Sequence, residues 1–163
     1  MTMGPRPAAA LLAAIAAAML AGAFAFEHIA GLRPCVLCWW QRYAWMVALT
    51  LALSALAAGP RRMGGALLAL AALATLAGAG IAGFHAGVEQ HWWAGTAECG
   101  GSSSAALTAE ERLKQLMGTP VVRCDEIPWS MFGLSMAAWN GLIALAAGGV
   151  ALMAALRQLR GQP

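Results

Sequence analysis

Four long apolar stretches divide this chain, and together they decide what it can fold into. The predicted spans cover about residues 8–26, 43–58, 65–84 and 136–156. A helix needs roughly 20 apolar residues to cross a bilayer, with about 17 as a lower limit. Three stretches qualify, and the second does so if it begins at Trp39 or Trp40. Only 10% of the residues are charged, against about 25% in soluble domains. We therefore predict an all-α integral membrane protein, a four-transmembrane-helix bundle that forms a single domain over residues 1–163.

The predicted loops differ between the two sides of the membrane. A short first loop, about residues 27–42, and a long second loop, about residues 85–135, carry every Asp and Glu. In the long loop Thr108 and Glu111 form a capping box, which predicts a short amphipathic helix over about residues 109–117. Each side carries five Lys or Arg, but Arg61 and Arg62 lie in a very short turn on the other side. Because basic residues close to span ends favour the cytoplasm, we expect both termini to be cytoplasmic.

The first span has some features of a cleaved secretory signal. Arg6 precedes it, and Ala23-Phe24-Ala25 resembles a cleavage site made of small residues. Its apolar run is longer than a signal core of roughly 7–15 residues, which favours an uncleaved helix.

The tryptophans indicate the same asymmetry as the acidic residues. All seven lie on or near the acidic side: Trp39, Trp40, Trp45, Trp92, Trp93, Trp129 and Trp139. Tryptophan prefers the membrane interface, so we predict a one-sided aromatic belt, with a cofactor pocket or a docking surface as the alternative.

All four cysteines fall on the acidic side. Cys35 and Cys38 form a C-x-x-C just before the second span, and Cys99 and Cys124 lie in the long loop. Cysteines that face an oxidising compartment can form disulfides and exchange electrons, whereas cytosolic ones more often bind metal or stay reduced. Pro34 disfavours helix at the residue before it. We therefore place the C-x-x-C at the N-terminal turn of the second helix, where the helix dipole favours a reactive thiolate.

Two further polar residues lie near these cysteines in the sequence. Arg42 follows Cys38 by one helical turn, so its cation would stabilise a Cys38 thiolate or a reduced anionic cofactor. The alternative is an arginine that snorkels to the interface. His85 ends the third span, where it could hydrogen-bond a cofactor carbonyl, move protons, or simply be solvated.

Non-redox interpretations of the cysteines also have to be weighed. A bond between Cys99 and Cys124 would close a loop of 25 positions, worth about 3 kcal/mol, and could be purely structural. We expect it to be exposed, and exposed disulfides exchange readily. Zinc held by all four cysteines is disfavoured because Cys99 and Cys124 lack paired C-x-x-C spacing. We predict no metal.

Together these residues resemble one known family. The segment Pro34–Cys38, followed by Gln41 and Arg42, resembles the active-site segment of the DsbB family of disulfide bond formation proteins. Cys99 and Cys124 are similar to its second cysteine pair, and residues 129–140 are similar to its entry into the fourth helix. The resemblance covers the whole chain.

The resemblance implies a function and a location. Members reoxidise a periplasmic thiol oxidase of the DsbA type and pass the electrons to a membrane quinone, ubiquinone or menaquinone, so it implies a bacterial inner-membrane protein with a periplasmic active site. The resemblance implies that Cys99 exchanges with the partner and that Cys124 completes that pair. Cys35 and Cys38 receive the electrons, and Cys38 faces the quinone.

The resemblance also implies three quinone-contacting residues, Arg42, His85 and Met136. A related alternative is a quinone-linked oxidoreductase of the vitamin K epoxide reductase type. There the C-x-x-C lies on a late span, whereas here it precedes the second. A non-enzymatic membrane scaffold with two structural disulfides is the other alternative.

Overall fold

The chain forms four long helices in the computed structural model, which describes residues 4–99 and 122–161. They are α1 (Pro5–His28), α2 (Val36–Ala58), α3 (Arg62–Glu89) and α4 (Met136–Leu159). α1 begins with a proline, whose missing N–H costs no hydrogen bond at that position. α2 ends at Gly59, whose φ of 70° suits a glycine C-cap.

α1, α3 and α4 are each long and apolar enough to cross a membrane, as predicted. Within the described ranges α2 is not among those helices, although its 23 residues exceed the required length of about 20. The polar Gln41 and Arg42 lie in its first half. α2 begins at Val36, within the C-x-x-C where the start of the helix was predicted, and well before the apolar stretch that was predicted to span the membrane from about residue 43.

The four helices pack side by side. α3 packs most extensively, against α2 and α4, while α1 also packs against α2 and α4, so that α2 and α4 lie diagonally across the bundle. Much of the core is alanine, such as the fully buried Ala16, Ala48 and Ala71. Small residues allow helix backbones to approach closely. At Gly78 of α3, an added Cβ would lie 2.9 Å from the Cβ of Ala44 in α2.

A short β-hairpin, which the all-α prediction did not include, leads into α4. β1 (Ser130–Met131) pairs antiparallel with β2 (Leu134–Ser135). Between them Phe132 and Gly133 have positive φ angles of 53° and 78°, the geometry that matches the twist of a tight hairpin. The hairpin fixes the direction from which the chain enters α4.

The connections on the cysteine side are shorter than predicted where the structure describes them. α1 and α2 are joined by residues 29–35, because α2 starts early. After α3, a single turn of 3-10 helix covers Ala97–Cys99. The predicted short helix over residues 109–117 lies outside the described residues.

Candidate functional site

Cys35 and Cys38 lie at the start of α2, as the sequence predicted. Cys35 is the N-cap residue, and its Sγ accepts a hydrogen bond of 3.3 Å from the backbone N–H of Cys38. Both are free thiols, and their Sγ atoms lie 2.8 Å apart. The positive end of the helix dipole lies beside the sulfurs and favours a thiolate.

Cys99 and Cys124 are joined by a disulfide, with their Cα atoms 5.1 Å apart. This disulfide lies beside the C-x-x-C. One buried cluster contains residues from both cysteine pairs, namely Cys35, Leu37, Val88, Cys99 and Cys124, with Cys38 packed against it. Because disulfide sulfurs are not thiolate ligands, zinc held by all four cysteines is incompatible with this bond.

The disulfide is buried, so the expectation of an exposed one was wrong. Cys99 is 3% exposed and Cys124 is 0% exposed. Although the sequence around them is polar, their sulfurs pack against apolar neighbours in the cysteine cluster. A cavity of about 310 Å³ adjoins the cluster, with Trp93, Thr96 and Cys99 among its lining residues. Cys99 is therefore the cysteine of this pair that a molecule in the cavity would meet.

His85 lies between the C-x-x-C and a buried carboxylate. Its Nε2 is 3.6 Å from the Cys35 Sγ and 3.9 Å from Oε1 of Glu89, and its Nδ1 is 2.9 Å from Nε2 of Gln41. The hydrogen bond with the Cys38 thiol, helped by His85, holds the pKa of the Cys35 thiol well below its usual range and outweighs the opposing effect of burial. Cys35 is therefore the sulfur of this pair that the geometry favours as a thiolate.

A chain of buried polar groups continues from His85 across the bundle. Asn140 of α4 donates from Nδ2 to Oε1 of Gln41, and the Trp45 indole N–H donates to Oδ1 of Asn140 over 2.7 Å. Gln41 also donates from Nε2 to the carbonyl of Leu37 over 3.1 Å. Trp45, which the sequence placed in the interfacial belt, is therefore an interior residue.

Arg42 binds residues of α1. Its Nη1 pairs with the carboxylate of Glu27, and its Nη2 donates to the Ala23 carbonyl over 3.0 Å. The guanidinium carbon lies 5.0 Å from the ring centroid of Phe24 and 4.9 Å from that of Trp39, within the range of cation–π contacts. The side chain is 8% exposed, so Arg42 does not extend to solvent as a snorkelling arginine would.

The predicted site residues thus fall into two groups. The four cysteines and His85 come together, whereas Arg42, one helical turn after Cys38, makes its ion pair and hydrogen bonds with α1. Met136 is the first residue of α4 and is half-buried.

Sequence reasoning assigned no individual role to several polar residues of the site. Glu89 accepts a hydrogen bond from the Ser135 hydroxyl, and Gln41, Trp45 and Asn140 form the chain described above. Polar side chains inside apolar helices are costly in a membrane, so they are usually paired with one another and mark a functional site. The polar residues Gln41 and Asn140, inside otherwise apolar helices, would have indicated part of the site on this ground.

Comparisons with known proteins match most of the chain to one family. The family model "Disulfide bond formation protein DsbB" matches residues 5–154. Disulfide bond formation protein B of Marinobacter nauticus is 36% identical over 141 residues, which are 78% of each chain. Disulfide bond formation protein B of Aromatoleum aromaticum is 32% identical over 139 residues, 79% of each chain. Disulfide bond formation protein B 2 of Pseudomonas syringae pv. syringae is 35% identical over 147 residues, 79% of this chain and 76% of that one. No solved structure matches the chain significantly.

Proposed function

Since the chain belongs to the DsbB family of disulfide bond formation proteins and is a disulfide oxidoreductase, we propose that it reoxidises a periplasmic DsbA-type thiol oxidase and passes the electrons to a membrane quinone. This activity would support disulfide bond formation in exported proteins. The single observation that carries the proposal is the buried cluster in which the Cys99–Cys124 disulfide lies against the C-x-x-C. Electrons can pass between two cysteine pairs by thiol–disulfide exchange only when the pairs are neighbours.

The proposed topology has four spans in the bacterial inner membrane. α2 packs between α1 and α3, both of which are apolar and long enough to cross a bilayer. A short turn that contains Arg61 joins α2 to α3 at the end opposite the cysteines, and Arg62 is the first residue of α3. The positive charge of these two arginines supports cytoplasmic termini and a periplasmic cysteine cluster.

The proposed relay begins at Cys99. A thiolate of the reduced partner attacks the Cys99 sulfur, the bond to Cys124 breaks, and Cys124 leaves as a thiolate. The second partner thiol then displaces Cys99, so the partner becomes oxidised and the pair becomes a dithiol. The cavity beside Cys99 and the complete burial of Cys124 support this order of attack.

The second exchange moves two electrons from this dithiol to the C-x-x-C. A thiolate of the reduced pair attacks a Cys35–Cys38 disulfide, its own disulfide re-forms, and Cys35 and Cys38 become thiols with the two electrons and two protons. The His85 ring and the backbone N–H of Cys38, both beside the Cys35 sulfur, support Cys35 as the sulfur that leaves, because they stabilise its thiolate. Cys38, which is more exposed than Cys35, is the sulfur proposed to face the acceptor.

A quinone fits the residues at this end of α2. A DsbA-type oxidant has a potential of about −120 mV, so its reoxidation needs a strong acceptor, and a quinone would accept two electrons when bound. Arg42 already binds a carboxylate oxygen, which indicates that its guanidinium can hold a partly negative oxygen. Arg42, His85 and Met136 are the residues we propose to hold ubiquinone or menaquinone.

Quinone reduction by the purified protein, driven by a reduced DsbA-type partner and followed by quinone absorbance, tests the proposal. We expect turnover that requires both cysteine pairs. Arg42→Ala should mainly raise the apparent quinone KM, whereas Arg33→Ala, a matched change at an exposed arginine on the same side, should not. If the Cys99–Cys124 disulfide stays intact and no quinone in a range of quinones is reduced, the protein is a scaffold with a structural disulfide.

A further inference from the structure

The orientation of each amide in the buried chain from Trp45 to His85 is set by its neighbour. An indole N–H can only donate, so the Asn140 atom that faces Trp45 must be the oxygen Oδ1. The other end of that amide, Nδ2, is therefore the atom that faces Oε1 of Gln41. Nε2 of Gln41 is then left to face Nδ1 of His85 at 2.9 Å.

A second anchor gives the same orientation independently. The backbone carbonyl of Leu37 can only accept, and it receives the other N–H of the Gln41 amide over 3.1 Å. If the Gln41 amide were rotated by half a turn, its oxygen would face the Leu37 carbonyl, and its NH₂ group would face that of Asn140. Both bonds would then be lost in a buried site, where unpaired polar groups are costly.

From this geometry we propose that Gln41, held by Asn140 and Trp45, is a positioning residue that keeps the neutral His85 ring in the tautomer with its proton on Nε2. A neutral imidazole has one donor and one acceptor nitrogen. Because Nδ1 faces a donor, Nδ1 must be the acceptor and Nε2 must carry the proton.

The Nε2–H then faces the Cys35 sulfur at 3.6 Å and the Glu89 carboxyl at 3.9 Å, and the Cys124 backbone also accepts from the His85 ring. A donor held toward Cys35 stabilises the thiolate that must leave in the second exchange, and in this use the inference rests on the proposed function. The tautomer itself does not depend on any partner or quinone, so it can be tested separately.

The test is nitrogen NMR of ¹⁵N-histidine-labelled full-length protein in lipid nanodiscs, in alkaline buffer where the ring is neutral. Nitrogen shifts distinguish a protonated from a bare ring nitrogen, and His85→Gln identifies the His85 signals among the three histidines of the chain. We expect a protonated Nε2 and a bare Nδ1 in the wild-type protein. A protonated Nδ1, or an even mixture of tautomers, would overturn the proposal.

Gln41→Glu reverses the polarity of the contact, because an ionised carboxylate can accept from Nδ1 but cannot donate to it. We expect Nδ1 to become protonated in this variant, and an unchanged spectrum would count against the proposal. Gln158→Glu is the matched control: Gln158 also donates from a helix to a backbone carbonyl, that of Arg61, but at the far end of α4. It should leave the His85 signals unchanged. If Gln41→Glu does not fold, the wild-type spectrum alone decides.

A failed quinone assay beside the expected spectrum would reject the proposed function and leave the tautomer assignment intact. An active protein whose Nδ1 is protonated would reject the tautomer assignment and leave the proposed function intact. The two proposals can therefore fail independently.

Discussion

Glu27→Gln should loosen the contact between α1 and α2 and tighten the binding of quinone. Arg42 and Glu27 are 8% and 21% exposed, so the ion pair is mostly removed from solvent. Glutamine keeps an acceptor oxygen but loses the charge. Hydrogen bonds to charged groups contribute about 1.5–3 kcal/mol, and we expect the variant to lose about 1–3 kcal/mol of unfolding free energy. Reversible unfolding in mixed detergent micelles measures this loss.

The effect on quinone follows from competition for one guanidinium. Glu27 is already in contact with Nη1 of Arg42. A quinone oxygen that binds Arg42 must therefore either displace Glu27 or share the guanidinium with it. A competing interaction of about 1–3 kcal/mol corresponds to roughly 5- to 150-fold in affinity. We therefore expect the quinone dissociation constant, measured by equilibrium titration, to fall at least about 5-fold in Glu27→Gln.

The control for this experiment is Glu126→Gln, the same change at an exposed carboxylate. The Glu126 side chain is 72% exposed and pairs with Arg123 over 3.4 Å. It should change neither stability nor quinone affinity measurably, because exposed pairs contribute little. A Glu27→Gln protein that is less stable but binds quinone no more tightly would refute the placement of the quinone oxygen at Arg42. Unchanged stability would refute the energetic argument itself.

Two further substitutions test other steps. Cys38→Ser should abolish quinone reduction while the protein stays folded in the membrane, as judged by its circular dichroism, and retained turnover would contradict the relay. Gly87→Ala would place a Cβ 1.9 Å from the ring of Trp93. The ring lines the cavity beside the disulfide, so it must shift there. We expect this shift to cost about 1–3 kcal/mol of stability. We expect a higher KM for the protein partner and an unchanged KM for quinone, whereas Gly83→Ala, one turn earlier with open space around it, should alter neither.

Much of the fold could be predicted from the sequence because membrane helices are specified locally. Three apolar stretches became α1, α3 and α4 with ends within a few residues of those predicted. The start of α2 was indicated by Pro34 and the C-x-x-C, whereas the predicted apolar span began too late because the first turns of α2 carry Gln41 and Arg42, which an apolar criterion rejects. These side chains find partners inside the protein instead of facing lipid.

The polar core of the site could not be predicted in the same way. Trp45 and Asn140 are 95 positions apart, and no local pattern in either helix shows that they bond to each other. The burial of the Cys99–Cys124 disulfide likewise depends on packing against Val88, a residue of a different helix. Sequence spacing placed the sulfurs on one side of the membrane, whereas tertiary contacts decided which of them are accessible.

The buried polar chain also makes the site depend on the register of the bundle. The core around it is mostly alanine, whose small side chains would tolerate sliding of one helix along another. The bonds from Trp45 to Asn140 and from Asn140 to Gln41 would not, because a shift of one helical turn, about 5.4 Å, would break them all. Within the described residues every buried side-chain nitrogen and oxygen has a partner, so such a slip would leave several unpaired inside a membrane, each at a cost of several kcal/mol. The groups that orient His85 therefore also hold α2, α3 and α4 in the one register that keeps His85 beside Cys35.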